Sequence, residues 1–321
     1  MGQLERAPTR ASVERVPGAG TELVAAVVVP VRDGGDDLGR LLAALAAQTV
    51  PPDRFEVLVA DDGSVDDLAP LTEPYANVRL LRGPPRNAYA ARNRAAAVAR
   101  APVLVFCDAD CRPGPRWLES GLAALEHAEL AAGLIRFAVP ERRTIWSLLD
   151  VDTFKDHARQ VQAANAETAN LFVSRELFER AGGFADDEPA HGDFDFVQRC
   201  VALGGRLVYA PEAAVDHPTR DRASPFLHNV WEMHRSYAAR EARAGRLPDG
   251  LKLRSWVPLV QPLRARRRFG RSLRLDRRRL SECGVRPRLA EDLAALPLMY
   301  LLLPYVGGAA QLRGWRDARR R

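Results

Sequence analysis

Residues Val103 to Pro115 read VLVFCDADCRPGP. Five apolar residues, Val103 to Cys107, run without alternation, the pattern of a strand buried on both faces of a parallel sheet. Asp108, Ala109 and Asp110 follow at its carboxyl end, and Pro113, Gly114 and Pro115 break the element. Open α/β sheets bind ligands where their strands end. Two carboxylates one residue apart at such an edge leave water at high cost unless a cation meets them. A hard divalent ion shared with a phosphate would meet them well. A solvated acidic loop or a helix cap would give the same short pattern, so the flanking stretches must decide.

Working outward, apolar runs alternate with amphipathic ones. Leu23 to Val31 (LVAAVVVPV) is the first buried strand, and Asp36 or Asp37 is expected to cap the helix Leu38 to Gln48. Phe55 to Ala60 is the second strand and runs into Asp61-Asp62-Gly63-Ser64, so acidic groups again sit just past a strand end. Val78 to Arg82 makes a short third strand. The alanine-rich helix Tyr89 to Arg100 carries Arg92, Asn93 and Arg94, which suit either a phosphate or a solvated helix face. After Val103 to Cys107 comes the helix Arg116 to His127. This alternation predicts an α/β fold with a doubly wound, mostly parallel sheet flanked by helices.

Beyond Leu130 to Val139 the pattern changes. Arg142 to Ala163 reads as an interrupted helix, Asn165 to Asn170 as a loop, Leu171 to Ser174 as a strand and Glu176 to Ala181 as a helix. His191-Gly192-Asp193-Phe194-Asp195 opens the helix Phe196 to Leu203, Arg206 to Tyr209 returns as a strand, and Val215 to Pro218 closes the core. For Asp193 and Asp195, helix N-capping is the alternative to chemistry.

The 321 residues suffice for one large α/β domain with an appendage, and 47% hydrophobic with 27% charged residues is ordinary for a folded protein. Arginine dominates the cations, and the net charge of +6 suits an anionic partner without choosing among nucleotide, membrane surface and nucleic acid. Cys107, Cys111, Cys200 and Cys283 form no zinc spacing, so they read as small buried hydrophobes. Residues 1–22 lack an apolar core and read as a disordered arm, not a signal peptide.

Taken together, VVVPVRDG, DDGSVD (Asp61 to Asp66), AARN (Ala90 to Asn93), DAD (Asp108 to Asp110), ANLFVSRELFERAGGF (Ala169 to Phe184), HGDFDFVQR (His191 to Arg199) and the VDH ending at His217 resemble the family 2 glycosyltransferases of the GT-A fold. Their order and spacing carry the resemblance over about Val24 to His217. It implies an inverting transferase that moves a sugar from a nucleotide-diphosphate donor (UDP-, GDP- or dTDP-linked) to a hydroxyl acceptor. Pro30, Arg32, Asp33, Asp61, Asp62, Gly63, Ser64, Arg92, Asn93, Asp108, Ala109 and Asp110 would then bind the nucleotide sugar, Asp61 and Asp62 at the base and Asp108 near the ribose. Asp110 and His217 would hold Mn²⁺ or Mg²⁺. Asp193 aligns with the catalytic base. Gly192 stands where the family usually has glutamate, so one acidic neighbour is missing. Asn170 and Asp195 would face the acceptor side.

The resemblance fades beyond Pro218, giving a division into an arm (1–22), a catalytic domain (23–218) and a helical extension (219–321). Asn229 to Arg243 reads as an amphipathic helix whose Trp231, His234 and Tyr237 are candidates for acceptor contact or for core packing. The basic Arg264 to Arg279 suits an anionic membrane surface, and the uncharged Leu293 to Leu312 is long enough for a span but broken by Pro297, Pro304, Gly307 and Gly308. These features imply a cytoplasmic protein, peripheral or C-terminally anchored at the inner face of the membrane. A sugar nucleotidyltransferase is disfavoured because no glycine-rich basic loop follows the first strand. Binding of nucleic acid is not expected, since no recognition motif accompanies the arginines.

Overall fold

The computed structural model describes residues 22–187, 190–248 and 275–320. The N-terminal arm and most of the basic stretch Arg264 to Arg279 lie outside the described residues.

Among the described residues, eight strands form one sheet: β1 (Ala25–Val31), β2 (Phe55–Asp61), β3 (Val78–Arg82), β4 (Val103–Cys107), β5 (Arg112–Pro113), β6 (Leu130–Ala138), β7 (Asn170–Ser174) and β8 (Leu207–Pro218). Their order is β3-β2-β1-β4-β7-β6-β8-β5. β3, β2, β1 and β4 are mutually parallel, as the alternation of strands and helices predicts. β7 enters antiparallel between β4 and β6, while β6 and β8 pair parallel.

The unbroken apolar run of β1 has a direct cause. Ala25, Val27, Val29 and Val31 pack on one side with Leu38, Leu41, Leu42 and Leu45 of the helix Gly35–Ala46 and with Trp117. Ala26 and Val28 pack on the other with the helix Ala88–Ala96 and the rings of Phe106, Phe178, Phe184 and Phe196. Both faces exclude water, so alternation is lost. Phe106 contacts Phe178 and Phe184 at centroid separations of 5.6 and 4.9 Å. Truncating such a residue to alanine costs about 3–5 kcal/mol.

Several sequence boundaries move. The helix expected from Leu38 begins at Gly35, and neither Asp36 nor Asp37 caps it; Asp37 lies in the first turn and pairs with Arg40 and Arg112. The helix expected from Phe196 starts at Gly192, so Asp193 and Asp195 are inside its first turn, behind His191 in the left-handed conformation (φ 66°). The strand expected over Arg206 to Tyr209 continues through His217 as one twelve-residue strand, β8.

The C-terminal helices pack on the sheet domain. The helix Ala223–Arg243 contributes Phe226 and Val230 to a third apolar cluster that also holds Phe137 of β6, Leu148, Leu149, Leu275, Leu280 and Ala295. The uncharged stretch Leu293 to Leu312 is divided among the helix Leu289–Pro297, a wider π turn and the helix Leu303–Arg319. No helix of the described residues is long and apolar enough to cross a membrane, so a helical span at Leu293 to Leu312 is not borne out. Gly307, Gly308 and Gly314 are buried in Leu303–Arg319, and Gly314 lies so close to Arg235 that a Cβ would meet its carbonyl oxygen at 2.1 Å. The glycines let two helices touch.

Candidate active site

Because β1, β2 and β4 are parallel and in register, their carboxyl ends share one edge: Val31 pairs with Asp61, and Val28 with Phe106. A cavity of about 480 Å³ opens there, lined by Pro30, Arg32, Asp37, Asp62, Ala88, Arg92, Asp108, Ala109 and Asp110, among others. Three loops build its wall. The Asp33 backbone N–H donates to Ser64 Oγ (3.0 Å), and the Val65 N–H donates to the Asp33 carboxylate (2.7 Å). Asp33 holds φ 51°, which aspartate tolerates better than most residues. Gly63, at φ +81°, turns the second loop; a Cβ there would stand 2.7 Å from Pro85. The Asp61 carboxylate accepts from the Ser64 N–H inside that turn, and Asp62 accepts from the Arg86 N–H while lining the cavity.

The carboxylates after β4 meet different partners. Arg92 Nη2 donates to Asp108 Oδ1 at 2.6 Å, and Lys155 Nζ lies 3.7 Å from Asp108 Oδ2. Burial pushes the Asp108 carboxyl up, but Arg92 and then Lys155 outweigh it and hold it at about 2. Asp110 is raised to about 6 by burial and by the charge of Asp108. The short pairing of Arg112 with Asp216 of β8 draws this loop toward His217, whose Nε2 stands 3.5 Å from Asp110 Oδ1.

His217 Nδ1 is 2.7 Å from the carbonyl oxygen of Pro218. A carbonyl only accepts, so Nδ1 carries the proton and Nε2 keeps its lone pair, aimed at a carboxylate. Burial, followed by the charge of Lys155, lowers the imidazole to about 3. A neutral lone pair facing a carboxylate across 3.5 Å is a donor set that fits a divalent cation. Cys111 Sγ lies within 4.8 Å of these atoms but contacts the Ala169 carbonyl, and its thiol is pushed well up, first by its hydrogen bond with Cys107 and then by burial.

Asp193 adjoins this group through Tyr89, whose hydroxyl donates to Asp193 Oδ1 (3.2 Å) and whose ring lies under the Arg92 guanidinium. Burial, then the charge of Glu167, raises the Asp193 carboxyl. Neither Asp193 nor Asp195 serves as the N-cap.

The sequence-derived site residues Asn93, Asn170, Asp195, His234 and Trp231 are not among those lining the cavity. Asn93 uses both ends of its carboxamide on the Phe184 backbone, accepting from the N–H and donating to the carbonyl, so it fastens a loop. Asn170 is wholly buried in β7, where it accepts from Trp117 Nε1 and donates to the carbonyls of Leu134 and Ala213; it holds strands together. Asp195 pairs with Arg199 one helical turn on. His234 turns toward the helix Leu303–Arg319, its Nδ1 3.0 Å from Gln311 Nε2 and its ring against Gly307. Trp231, half-buried on the same helix, is not among the residues lining the cavity.

Sequence reasoning missed Tyr89, Lys155, Glu167, Arg220 and Asp150. Arg220 donates from Nη1 and its backbone N–H to the fully buried Asp150, and it lies close enough to weigh on Asp110 and His217. Tyr89 and Asp150 come from the helices Ala88–Ala96 and Ile145–Thr153, and Lys155, Glu167 and Arg220 from the segments between elements.

Residues 26–182, about half of the chain, match the family model described as glycosyl transferase family 2. The glycosyltransferase AglE of Haloferax volcanii is 29% identical over 202 residues, covering 60% of this chain and 66% of that protein. Validoxylamine A glucosyltransferase of Streptomyces hygroscopicus subsp. limoneus is 35% identical over 123 residues, 36% of this chain and 27% of its own length. The chain therefore spans 66% and 27% of these two curated relatives. The mannosyltransferase PcManGT from Pyrobaculum calidifontis, solved in complex with GDP-Man and Mn²⁺, superposes with a TM-score of 0.62 at 18% identity, covering 95% of this chain and 89% of that one. At that identity the likeness speaks for the fold, an α/β sheet of the GT-A kind. The family match and the shared fold agree with the acidic strand ends described above, and the chain belongs to the family 2 glycosyltransferases.

Proposed function

We propose that the chain transfers a sugar from a nucleotide-diphosphate donor to a hydroxyl acceptor, with inversion at the sugar carbon. The convergence of Asp62, Asp108 and Asp110 on one cavity at the carboxyl edge of parallel strands carries this reading. UDP-, GDP- and dTDP-sugars are the donor candidates, and the neighbour solved with GDP-Man supports including the second. Asp62 would accept from the base, and the Arg32 and Asp33 loop would close over the nucleoside.

Asp193 takes the proton of the acceptor hydroxyl. The freed oxygen attacks the anomeric carbon as the bond from that carbon to the diphosphate oxygen breaks, and both electrons leave with the nucleoside diphosphate. The raised basicity of Asp193 suits this role, and Tyr89 orients it by donating to the same carboxylate. Arg92 holds Asp108 ionised beside the donor. Mn²⁺ or Mg²⁺ bound by Asp110 and His217 would supply Lewis-acid neutralisation of charge on the leaving diphosphate.

Asp193→Asn tests the assignment. Transfer should fall by about 10²- to 10⁴-fold, the usual worth of a general base, while nucleoside diphosphate affinity stays unchanged. A variant that still transfers sugar removes Asp193 from the role. The donor itself is sought by thermal shift with UDP-, GDP- and dTDP-sugars, with and without Mn²⁺, since a bound donor stabilises the fold by mass action.

The acceptor side is proposed to work at an anionic membrane surface on the cytoplasmic face. Exposed Leu289, Leu293 and Tyr305 on the C-terminal helices and the basic composition support attachment. Sedimentation with phosphatidylserine vesicles but not with neutral ones is the expected result, and equal partition between them would remove the surface from the proposal.

A further inference from the structure

Lys155 is an anomaly on three independent counts. Of the 47 Lys and Arg residues in the chain, Lys155 and Lys252 alone are lysines, so a compact ammonium here departs from the chain's habit. Its backbone is left-handed, φ 58°, a conformation costing a side-chain-bearing residue about 1–2 kcal/mol. Its side chain is only 11% exposed, yet its nearest acid, Asp108, stands at 3.7 Å, beyond hydrogen-bond reach.

Strain of this kind persists only where the surroundings over-determine it, and they do. The carbonyl of Phe154 accepts from Arg279 Nη2, the carboxylate of Asp156 accepts from Arg278 Nη2 (2.8 Å), and Asp152 accepts from the Asp276 N–H (2.7 Å). His157, two residues on, donates from Nδ1 to the Gly133 carbonyl and accepts at Nε2 from the Glu167 N–H. Both neighbours of Lys155 are thus fastened, one by each of two arginines from the helix Arg277–Glu282, so the backbone that carries the ammonium is held from both sides.

Neutralising Asp108 does not explain the expense, because Arg92 already meets that carboxylate at 2.6 Å. The ammonium stands 3.7 Å from Asp108, which lines the cavity, and its charge reaches Asp110, His217 and Glu167. A buried ammonium whose donors lack close acceptors favours an arriving anion.

We infer that Lys155 is a diphosphate-binding residue, placed to donate to the terminal phosphate of the nucleoside diphosphate and to stabilise it as it leaves. The inference rests on the reading of the cavity as a nucleotide-sugar site. It assigns a second purpose to the C-terminal extension, which fixes the loop that carries the amine.

The test compares nucleotides differing by one phosphate. Calorimetric titrations of the full chain with UDP, GDP and dTDP, and with the matching monophosphates, are run with Mn²⁺ on the wild type, Lys155→Met and Lys155→Arg. Losing a charge-assisted contact should weaken the bound diphosphate by about 10- to 100-fold in Lys155→Met, with little change for its monophosphate and an intermediate loss in Lys155→Arg. Equal weakening of both nucleotides, or none of either, overturns the role of Lys155 and leaves the nucleotide site standing. A wild type that binds no diphosphate overturns the site and Lys155 together. Should the methionine variant not fold, Lys155→Arg carries the same comparison, since a longer, planar fork in place of the ammonium must still alter diphosphate affinity selectively.

Discussion

His157 sits at the hinge of this arrangement and sets a measurable pH dependence. Its ring is buried, with Nδ1 donating to the Gly133 carbonyl at 2.7 Å and Nε2 accepting from the Glu167 N–H at 2.8 Å. The second bond requires the neutral ring, since a protonated Nε2 cannot accept. Burial is the main reason that its folded pKa falls from 6.5 to about 4, and the charge of Lys155 adds to it. A folded pKa below the unfolded one means that the unfolded chain binds the proton first. The stability that His157 contributes is therefore complete above about pH 6.5 and is lost as pH falls toward and through about 4. Between about pH 7 and about pH 5 the linkage amounts to about 2 kcal/mol, a large share of a typical folding stability. Other groups titrate in this window, and Asp110, raised to about 6, acts with the opposite sign. A difference between two proteins removes them. His157→Gln keeps one donor and one acceptor but cannot protonate. Urea unfolding of both proteins at the two pH values should show the wild type losing about 2 kcal/mol more than the variant on acidification. Equal losses in the two proteins would refute the assignment of a neutral, doubly bonded imidazole.

Two further outcomes follow from the same geometry. Asp110→Asn removes the carboxylate facing His217 Nε2 (3.5 Å); melting curves with a nucleoside diphosphate should then be the same with and without Mn²⁺, whereas the wild type gains stability from the ion. A variant that keeps the Mn²⁺ response places the ion elsewhere. Asn170→Ala strips partners from Trp117 Nε1 and from the carbonyls of Leu134 and Ala213; unfolding should become easier by about 3 kcal/mol or more, since each buried unpaired group costs about 1–3 kcal/mol. Catalytic turnover per folded molecule should survive, which a residue contacting the acceptor would not allow.

What was legible in the sequence is what local pattern encodes. β1, β2 and β4 announce themselves because burial on both faces removes alternation, and the acidic groups after β2 and β4 are adjacent in the chain to those strands. Asn93 and Asn170 spend hydrogen bonds on the fold, which the sequence does not reveal. A carboxamide inside a motif looks the same in sequence whether it faces a ligand or a neighbouring carbonyl, and only packing distinguishes the two. Lys155 and Glu167 were illegible because each arrives by tertiary contact from a segment with no pattern of its own, and Tyr89 because its helix was legible while the direction of its hydroxyl was not. The helix that opens at Gly192 was begun four residues late, because the apolar periodicity of Phe196, Val197 and Cys200 is what a pattern search detects.

The departure at Gly192 is the point where these threads join. A residue with a Cβ at this position would meet the Tyr89 ring at 2.8 and 2.9 Å and the Ala185 carbonyl oxygen at 3.0 Å. A backbone oxygen and a ring flanked by Phe184 cannot give way together, so the glutamate that resembling chains carry is excluded by volume here. Tyr89 fills that space and turns its hydroxyl onto Asp193. The lost negative charge is recovered from the loop before β7, where Glu167 is, after burial, the largest influence raising the Asp193 carboxyl. Glu167 is held by Gln160, which donates to its Oε1 at 3.0 Å, and its Oε2 is buried without a hydrogen-bond donor among the described residues. On the proposed reading of Asp193 as the base, a tyrosine that orients it and a distant glutamate that raises its proton affinity stand in for one adjacent acidic side chain, so the missing acid argues for a rearranged acceptor side and not for an inactive one.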